Sequence, residues 1–271
     1  MLHFQTHART CPLIILAALL VLLQAGTDLI AAEQNVIDDW PMYRKDAGRK
    51  GVSQAELPDH LRLAWSRKLL PLTPAFQNKR LQFDAGYEPV VAKGKLLVAS
   101  SLTDSVTAFD TQTGQLVWTY YTNGPVRFAP AIWNETVCFG SDDGYMYCVD
   151  LHTGVLRWRQ QAAPSERLLL GNRRLISVWP VRGGPVVKDG VVYFAAGVWP
   201  FEGVFIYAMQ IDTGKIVWRN DRMGYLFGQQ PHNTQAIGGL APQGYLLIDE
   251  DELIVPCSTA YPARLNRLTG E

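Results

Sequence analysis

Along most of the chain, short β-branched and aromatic runs alternate with Gly, Asp and Asn punctuation, the pattern of strands joined by tight turns. One phrase occurs three times and starts a fourth: Ala108-Phe-Asp-Thr-Gln-Thr-Gly-Gln-Leu-Val-Trp118, Cys148-Val-Asp-Leu-His-Thr-Gly-Val-Leu-Arg-Trp158, Ala208-Met-Gln-Ile-Asp-Thr-Gly-Lys-Ile-Val-Trp218 and Arg264-Leu-Asn-Arg-Leu-Thr-Gly270. Upstream of each copy lie two further apolar runs broken by a turn. Pro89-Val-Val-Ala-Lys-Gly-Lys-Leu-Leu-Val-Ala-Ser100 and Pro130-Ala-Ile-Trp-Asn-Glu-Thr-Val-Cys-Phe-Gly-Ser141 are examples. Each unit therefore predicts strand A, tight turn, strand B, turn, strand C, Thr-Gly turn and strand D.

A four-stranded antiparallel meander of about 40 residues is one β-propeller blade, and Gly114 to Gly154 is an interval of 40. The next two intervals, 60 and 56, carry insertions near 161–182 and 221–242. The expected fold class is all-β, a propeller of four-stranded antiparallel blades with about four present. They fall at about 87–121, 128–160 and 184–220, with a partial blade at 244–271 in an incomplete ring. Gly114, Gly154 and Gly214 supply the positive φ that the C–D reversal needs. Four residues later, Trp118, Trp158 and Trp218 stand on strand D, where an indole can cover the junction with a neighbouring blade. Recurrence at one place in every repeat marks them as structural, since stacked units need it. Trp65, in Leu61–Leu69, reads as the same tryptophan on a D strand with no A–C strands before it, placed to complete the partial blade.

The Ala-x-Asp-x-x-Thr-Gly-x-x-x-Trp phrase resembles the tryptophan-docking repeat of the pyrroloquinoline-quinone-type β-propellers. That group includes quinoprotein alcohol dehydrogenases and an outer-membrane assembly lipoprotein. Asp39-Trp-Pro-Met-Tyr-Arg-Lys-Asp-Ala-Gly-Arg-Lys-Gly51 is similar to the N-terminal segment of exported members. The resemblance spans about residues 39–271 and implies the fold; it leaves function open, because most bearers of the repeat bind no quinone. In the dehydrogenases it implies an adjacent Cys-Cys pair, a calcium ion held by Glu, Asn and Asp, and an Asp base. This chain has no Cys-Cys, and none of those ligands matches residue by residue. No cofactor is expected, with pyrroloquinoline quinone and calcium entering only under the dehydrogenase alternative.

The ring has two readings. A sequence stopping at Thr269-Gly-Glu271 leaves a strand pair unfinished, which favours the first portion of a longer protein. The other reading is a small four-bladed ring, or self-association through open ends whose sheet edges invite pairing.

Composition narrows the partners. The 271 residues are 48% hydrophobic and carry equal numbers of acidic and basic side chains, so nucleic acid is not an expected partner. His3, His7 and Arg9 precede the apolar run Pro12–Leu23, and small residues follow at Ala31-Ala32. This is the pattern of a signal peptide (1–32) cleaved after Ala32, with an extended lead-in segment at 33–60 and repeats at 61–271. The run is shorter than a bilayer span, so no stable transmembrane segment is expected after cleavage; an uncleaved anchor is the other reading. A periplasmic or secreted location follows.

The search for chemistry finds little. The five histidines show no metal spacing, and no nucleophile elbow or phosphate loop occurs. Asp142-Asp143 and Asp249-Glu-Asp-Glu252 sit at turns and read as solvated loop carboxylates, with calcium ligation the other reading. In the first insertion, Arg173, Arg174, Arg182 and Trp179 are candidates for a cationic aromatic spot, against a reading in which Trp179 and Ile176 pack and the arginines are solvated. Tyr225, Phe227, Gln229, Gln230 and His232 make a similar group in the second. Counting outward from the turn Asp142-Asp143-Gly144 pairs Cys138 with Cys148 at a non-hydrogen-bonded site. A disulfide and two small apolar residues facing each other are both open readings there. The expected function is an exported, non-catalytic interaction scaffold for a protein or extracellular ligand. The alternative is the N-terminal portion of a quinone-dependent dehydrogenase.

Overall fold

The computed structural model describes residues 38–72, 86–171, 174–229, 233–258 and 261–271. The expected signal peptide, Arg173, Gln230 and His232 lie outside the described residues. Residues 39–271 form one compact unit. Its first blade is the meander β1 (Val90–Ala92), β2 (Lys95–Ser100), β3 (Ser105–Asp110) and β4 (Leu116–Tyr121). The second is β5 (Ala131–Trp133), β6 (Thr136–Gly140), β7 (Tyr145–Asp150) and β8 (Leu156–Gln161). The first insertion folds as a hairpin, β9 (Leu168–Gly171) with β10 (Arg174–Ser177). Blade three follows as β11 (Gly183–Lys188), β12 (Val191–Ala196), β13 (Phe205–Gln210) and β14 (Ile216–Asn220). The second insertion is the hairpin β15 (Leu226–Gln229) with β16 (Gln235–Gly238). Then β17 (Gly244–Tyr245) pairs parallel to β11, and β18 (Leu247–Asp249), β19 (Glu252–Val255) and β20 (Ala263–Asn266) form the fourth blade. This is the all-β propeller architecture that the repeat predicts.

The Thr-Gly turn works through one acceptor. Asp110 Oδ1 accepts from the Gln112 and Thr113 amides and the Thr113 hydroxyl, and Asp150 Oδ1 does the same for His152 and Thr153. These bonds favour the charged carboxylate; with the Arg157 guanidinium, the largest influence, they hold Asp150 far below the usual carboxylate range. In the fourth copy Asn266 Oδ1 takes the Leu268 and Thr269 amides. Gly154 follows at φ 70°, and the indole of Trp118 lies flat over it. Its N–H donates to the Leu151 carbonyl at 2.9 Å. Trp158 donates to Ile211 at 2.7 Å above Gly214, and Trp218 to Arg267 at 2.8 Å above Gly270. The tryptophan of each blade thus covers the C–D turn of the next.

Leu61–Leu69, expected as the D strand of the partial blade, has no ladder in this structure. Trp65 instead sits over Gly114 of blade one and donates to Thr111 at 2.8 Å, while Arg67 donates to Gly114. It docks as a preceding blade's tryptophan would, because the C–D turn of blade one presents the same carbonyl and the same bare glycine.

The lead-in segment does more than lead in. Trp40 exchanges two backbone hydrogen bonds with Val91, the Ile132 amide donates to Pro41, and the Ile248 amide donates to Ala47. Arg49, only 7% exposed, donates Nε to Leu246, Nη2 to Pro185 and Nη1 to Tyr43, each a carbonyl. Residues 39–49 therefore run along the A strands of blades one and two and tie down those of three and four. Burial lowers Arg49 to about 10, with the ring of Tyr245 stacked beside it at 5.2 Å.

Candidate functional site

An antiparallel meander places its B–C turns and D–A linkers at one end of the blades and its A–B and C–D turns at the other. Both insertions are D–A linkers, so both hairpins belong to the first of these faces. The first insertion crosses three blades there. Arg174 donates to the Ser101 carbonyl at 3.0 Å and pairs with Asp104, on the B–C turn of blade one. The Ser177 amide donates to Asp142 O in blade two at 2.7 Å, and Arg167 pairs with Glu202 in blade three.

Asp142 anchors this face. It is 1% exposed and takes Arg127 Nε at 2.7 Å on Oδ2 and a bidentate fork from Arg182 at 2.9 and 2.8 Å. The expectation of a solvated turn carboxylate is corrected here. Two guanidinium groups repay its desolvation, and they come from the linkers on either side of blade two. Its neighbour Asp143 accepts from the Asn123 and Tyr145 amides and from the Tyr147 hydroxyl at 2.7 Å. Burial still pushes the Asp143 carboxyl up.

The cationic aromatic spot is likewise not an open one. Trp179 is 6% exposed, packs edge-on to Phe205 and donates to the Glu202 carbonyl, while Arg174 and Arg182 are engaged as above. Ile176 is buried. Tyr225 and Phe227 are exposed on the second insertion. His152 is exposed on the opposite face and reaches Glu135, which also pairs with Lys93. The acidic turn Asp249–Glu252 supplies partners to Arg264 and Arg267. Among the described residues, no three His, Cys, Asp or Glu side chains converge as a metal site. Cys138 and Cys148, paired across β6 and β7 with Cα atoms 4.2 Å apart, form a disulfide.

Between blade two and the β9–β10 hairpin lies a cavity of about 380 Å³. Tyr145, Arg159, Glu166, Leu168, Leu175 and Asn123 line it with Asp143. Behind Tyr145 stands an aromatic layer of Tyr147, Phe139 and Tyr120. No spacing rule could announce this cavity, because its wall is an insertion and its floor is a blade surface.

A family model described as outer membrane protein assembly factor BamB matches residues 62–179. The dehydrogenase subunit of the quinone alcohol dehydrogenase of Gluconobacter oxydans is 31% identical over 200 residues, 67% of this chain and 24% of that protein. The assembly factor BamB of Yersinia pestis is 27% identical over 138 residues, 49% of this chain and 33% of that protein. Among solved structures, the quinohemoprotein alcohol dehydrogenase of Comamonas testosteroni superposes with a TM-score of 0.62 at 21% identity, covering 90% of this chain and 42% of that one. The chain spans about a quarter to a third of the length of these two curated relatives. With the repeat, the docked tryptophans and these matches together, the chain belongs to the β-propeller proteins built from pyrroloquinoline-quinone-type, tryptophan-docking repeats.

Proposed function

We propose that the chain works as an exported, non-catalytic propeller scaffold that recognises a protein through the face carrying its two insertions. The observation that supports this reading is the exposed leucine face of the β9–β10 hairpin. Leu170 pairs with Leu175, and both share a face with Leu168; the three are 75%, 63% and 53% exposed. An apolar surface on a hairpin pinned to three blades is costly to leave wet and is shaped in advance for a partner. The match to an assembly factor agrees with protein recognition. No helix among the described residues is long and apolar enough to cross a membrane.

Site-specific photocross-linking from position 170 in exported chain is the test. A discrete adduct is expected, lost on Leu175→Asp with melting unchanged, because the side chain is exposed. An adduct pattern indifferent to Leu175→Asp would count against this face.

The 31% identity to a quinone alcohol dehydrogenase subunit favours a second reading, the propeller portion of such an enzyme. The described residues do not fit that cofactor by themselves: no three acidic or metal-ligating side chains converge, and Asp142 is already clamped by two arginines. That reading therefore draws its quinone and calcium ligands from further chain. Dye-linked alcohol oxidation by the purified chain with pyrroloquinoline quinone and calcium would favour it over the scaffold.

A further inference from the structure

The cavity between blade two and the β9–β10 hairpin carries charged groups that the scaffold reading does not use. Its volume, about 380 Å³, falls in the range of small-molecule sites, which begins near 300 Å³. Part of its lining is apolar: Leu168 and Leu175, two of the exposed leucines of the hairpin, line it together with Tyr145. Opposite charges stand at its rim without meeting. The Arg159 guanidinium lies over the Tyr145 ring, 5.2 Å from its centre, and has no carboxylate partner among the described residues. Glu166 accepts the Tyr145 hydroxyl on Oε1 at 2.7 Å, and its Oε2 has no hydrogen bond among the described residues. Asp143, the remaining acid, already accepts three hydrogen bonds from the chain itself.

A guanidinium stacked on a ring keeps its edge donors directed outward, the geometry that suits a carboxylate. A half-engaged carboxylate nearby suits an ammonium group. An anion alone would meet Glu166, and a cation alone would meet Arg159. A zwitterion with an apolar body satisfies both charges and both leucines. We propose that this cavity binds an apolar α-amino acid, with its carboxylate on Arg159, its ammonium on Glu166 and its side chain between Tyr145 and the hairpin leucines.

L-Phenylalanine is the probe, titrated into the purified chain by calorimetry and saturation-transfer NMR. One-site saturable binding is expected. Arg159→Gln and Glu166→Gln should each weaken it by about tenfold or more, the worth of a charge-assisted hydrogen bond. Both side chains are largely exposed, so both variants should melt like the parent. N-acetyl-L-phenylalanine, which lacks the ammonium, should bind weakly to the parent and no more weakly to Glu166→Gln. L-Phenylalaninamide, which lacks the carboxylate, should show the same relation to Arg159→Gln. These two ligands decide the matter on the unaltered chain should a variant fold poorly. No saturable binding in the millimolar range, or binding indifferent to acetylation and amidation, overturns the proposal. Leu168 and Leu175 belong to both sites, but the charge variants and the derivatised ligands leave all three leucines in place, so amino-acid binding here and cross-linking from position 170 fail separately.

Discussion

At Gly154, the backbone and the packing make the same demand. Its φ of 70° is a left-handed conformation, and a Cβ there would come within 2.7 Å of the Trp118 ring. Gly154→Ala therefore pays a backbone cost of about 1–2 kcal/mol and also lifts the indole from its seat. Trp118→Ala leaves the seat empty and the Leu151 carbonyl without its donor; the expected loss is about 3–5 kcal/mol. The two changes act on one contact, so the double variant should fall well short of the sum of the single losses. Full additivity in denaturant melts would show that the ring and the glycine are energetically separate. Much of this was legible beforehand, because turn and tryptophan recur at a fixed spacing. Asp142 was not, because its partners Arg127 and Arg182 stand 15 and 40 residues away and carry no shared pattern.

At the level of the hairpin, register follows from turn chemistry. The Ser141 amide donates to Tyr145 O and the Gly144 amide to Ser141 O, which closes the loop and sets Gly140 opposite Met146. Counting back then places Cys138 opposite Cys148, both fully buried. In an oxidising compartment the disulfide of the structure should persist. A thiol reagent added to denatured chain lacking residues 1–32 should find one reactive cysteine, Cys257; finding three would remove the bridge. The insertions were harder to read. Their leucines and aromatics gave no period long enough to separate a packed loop from a raised hairpin. What decides is the set of long-range pairs that pin the first insertion, Arg174 to Asp104 and Arg167 to Glu202.

Across the whole molecule, neighbouring blades meet through their tryptophans, but the inner strands of four blades are joined by a single segment. Residues 39–51 read as an extended lead-in because their role rests on backbone carbonyls drawn from strands far apart in sequence, and no motif records carbonyls. Arg49 concentrates that role. It donates to Leu246 and Pro185, 197 and 136 residues away, and back to Tyr43 in its own segment. Tyr43 in turn stacks on Tyr245 with ring centres 3.8 Å apart, and the Ala129 amide donates to the Tyr245 hydroxyl, so blades two, three and four share one polar cluster. Burial disfavours the charged guanidinium, which its lowered pKa registers, yet at about 10 it remains protonated through neutral pH. Arg49→Met keeps much of the apolar stem and removes every donor, leaving buried carbonyls unsatisfied at about 1–3 kcal/mol each. The expected outcome is a loss of about 3 kcal/mol or more, with hydrogen exchange quickening at Val91, Ile132 and Ile248 together. Faster exchange confined to Ile248 would mean that Arg49 anchors blade four alone, and an unchanged melt would deny the segment its place as the tie between the blades.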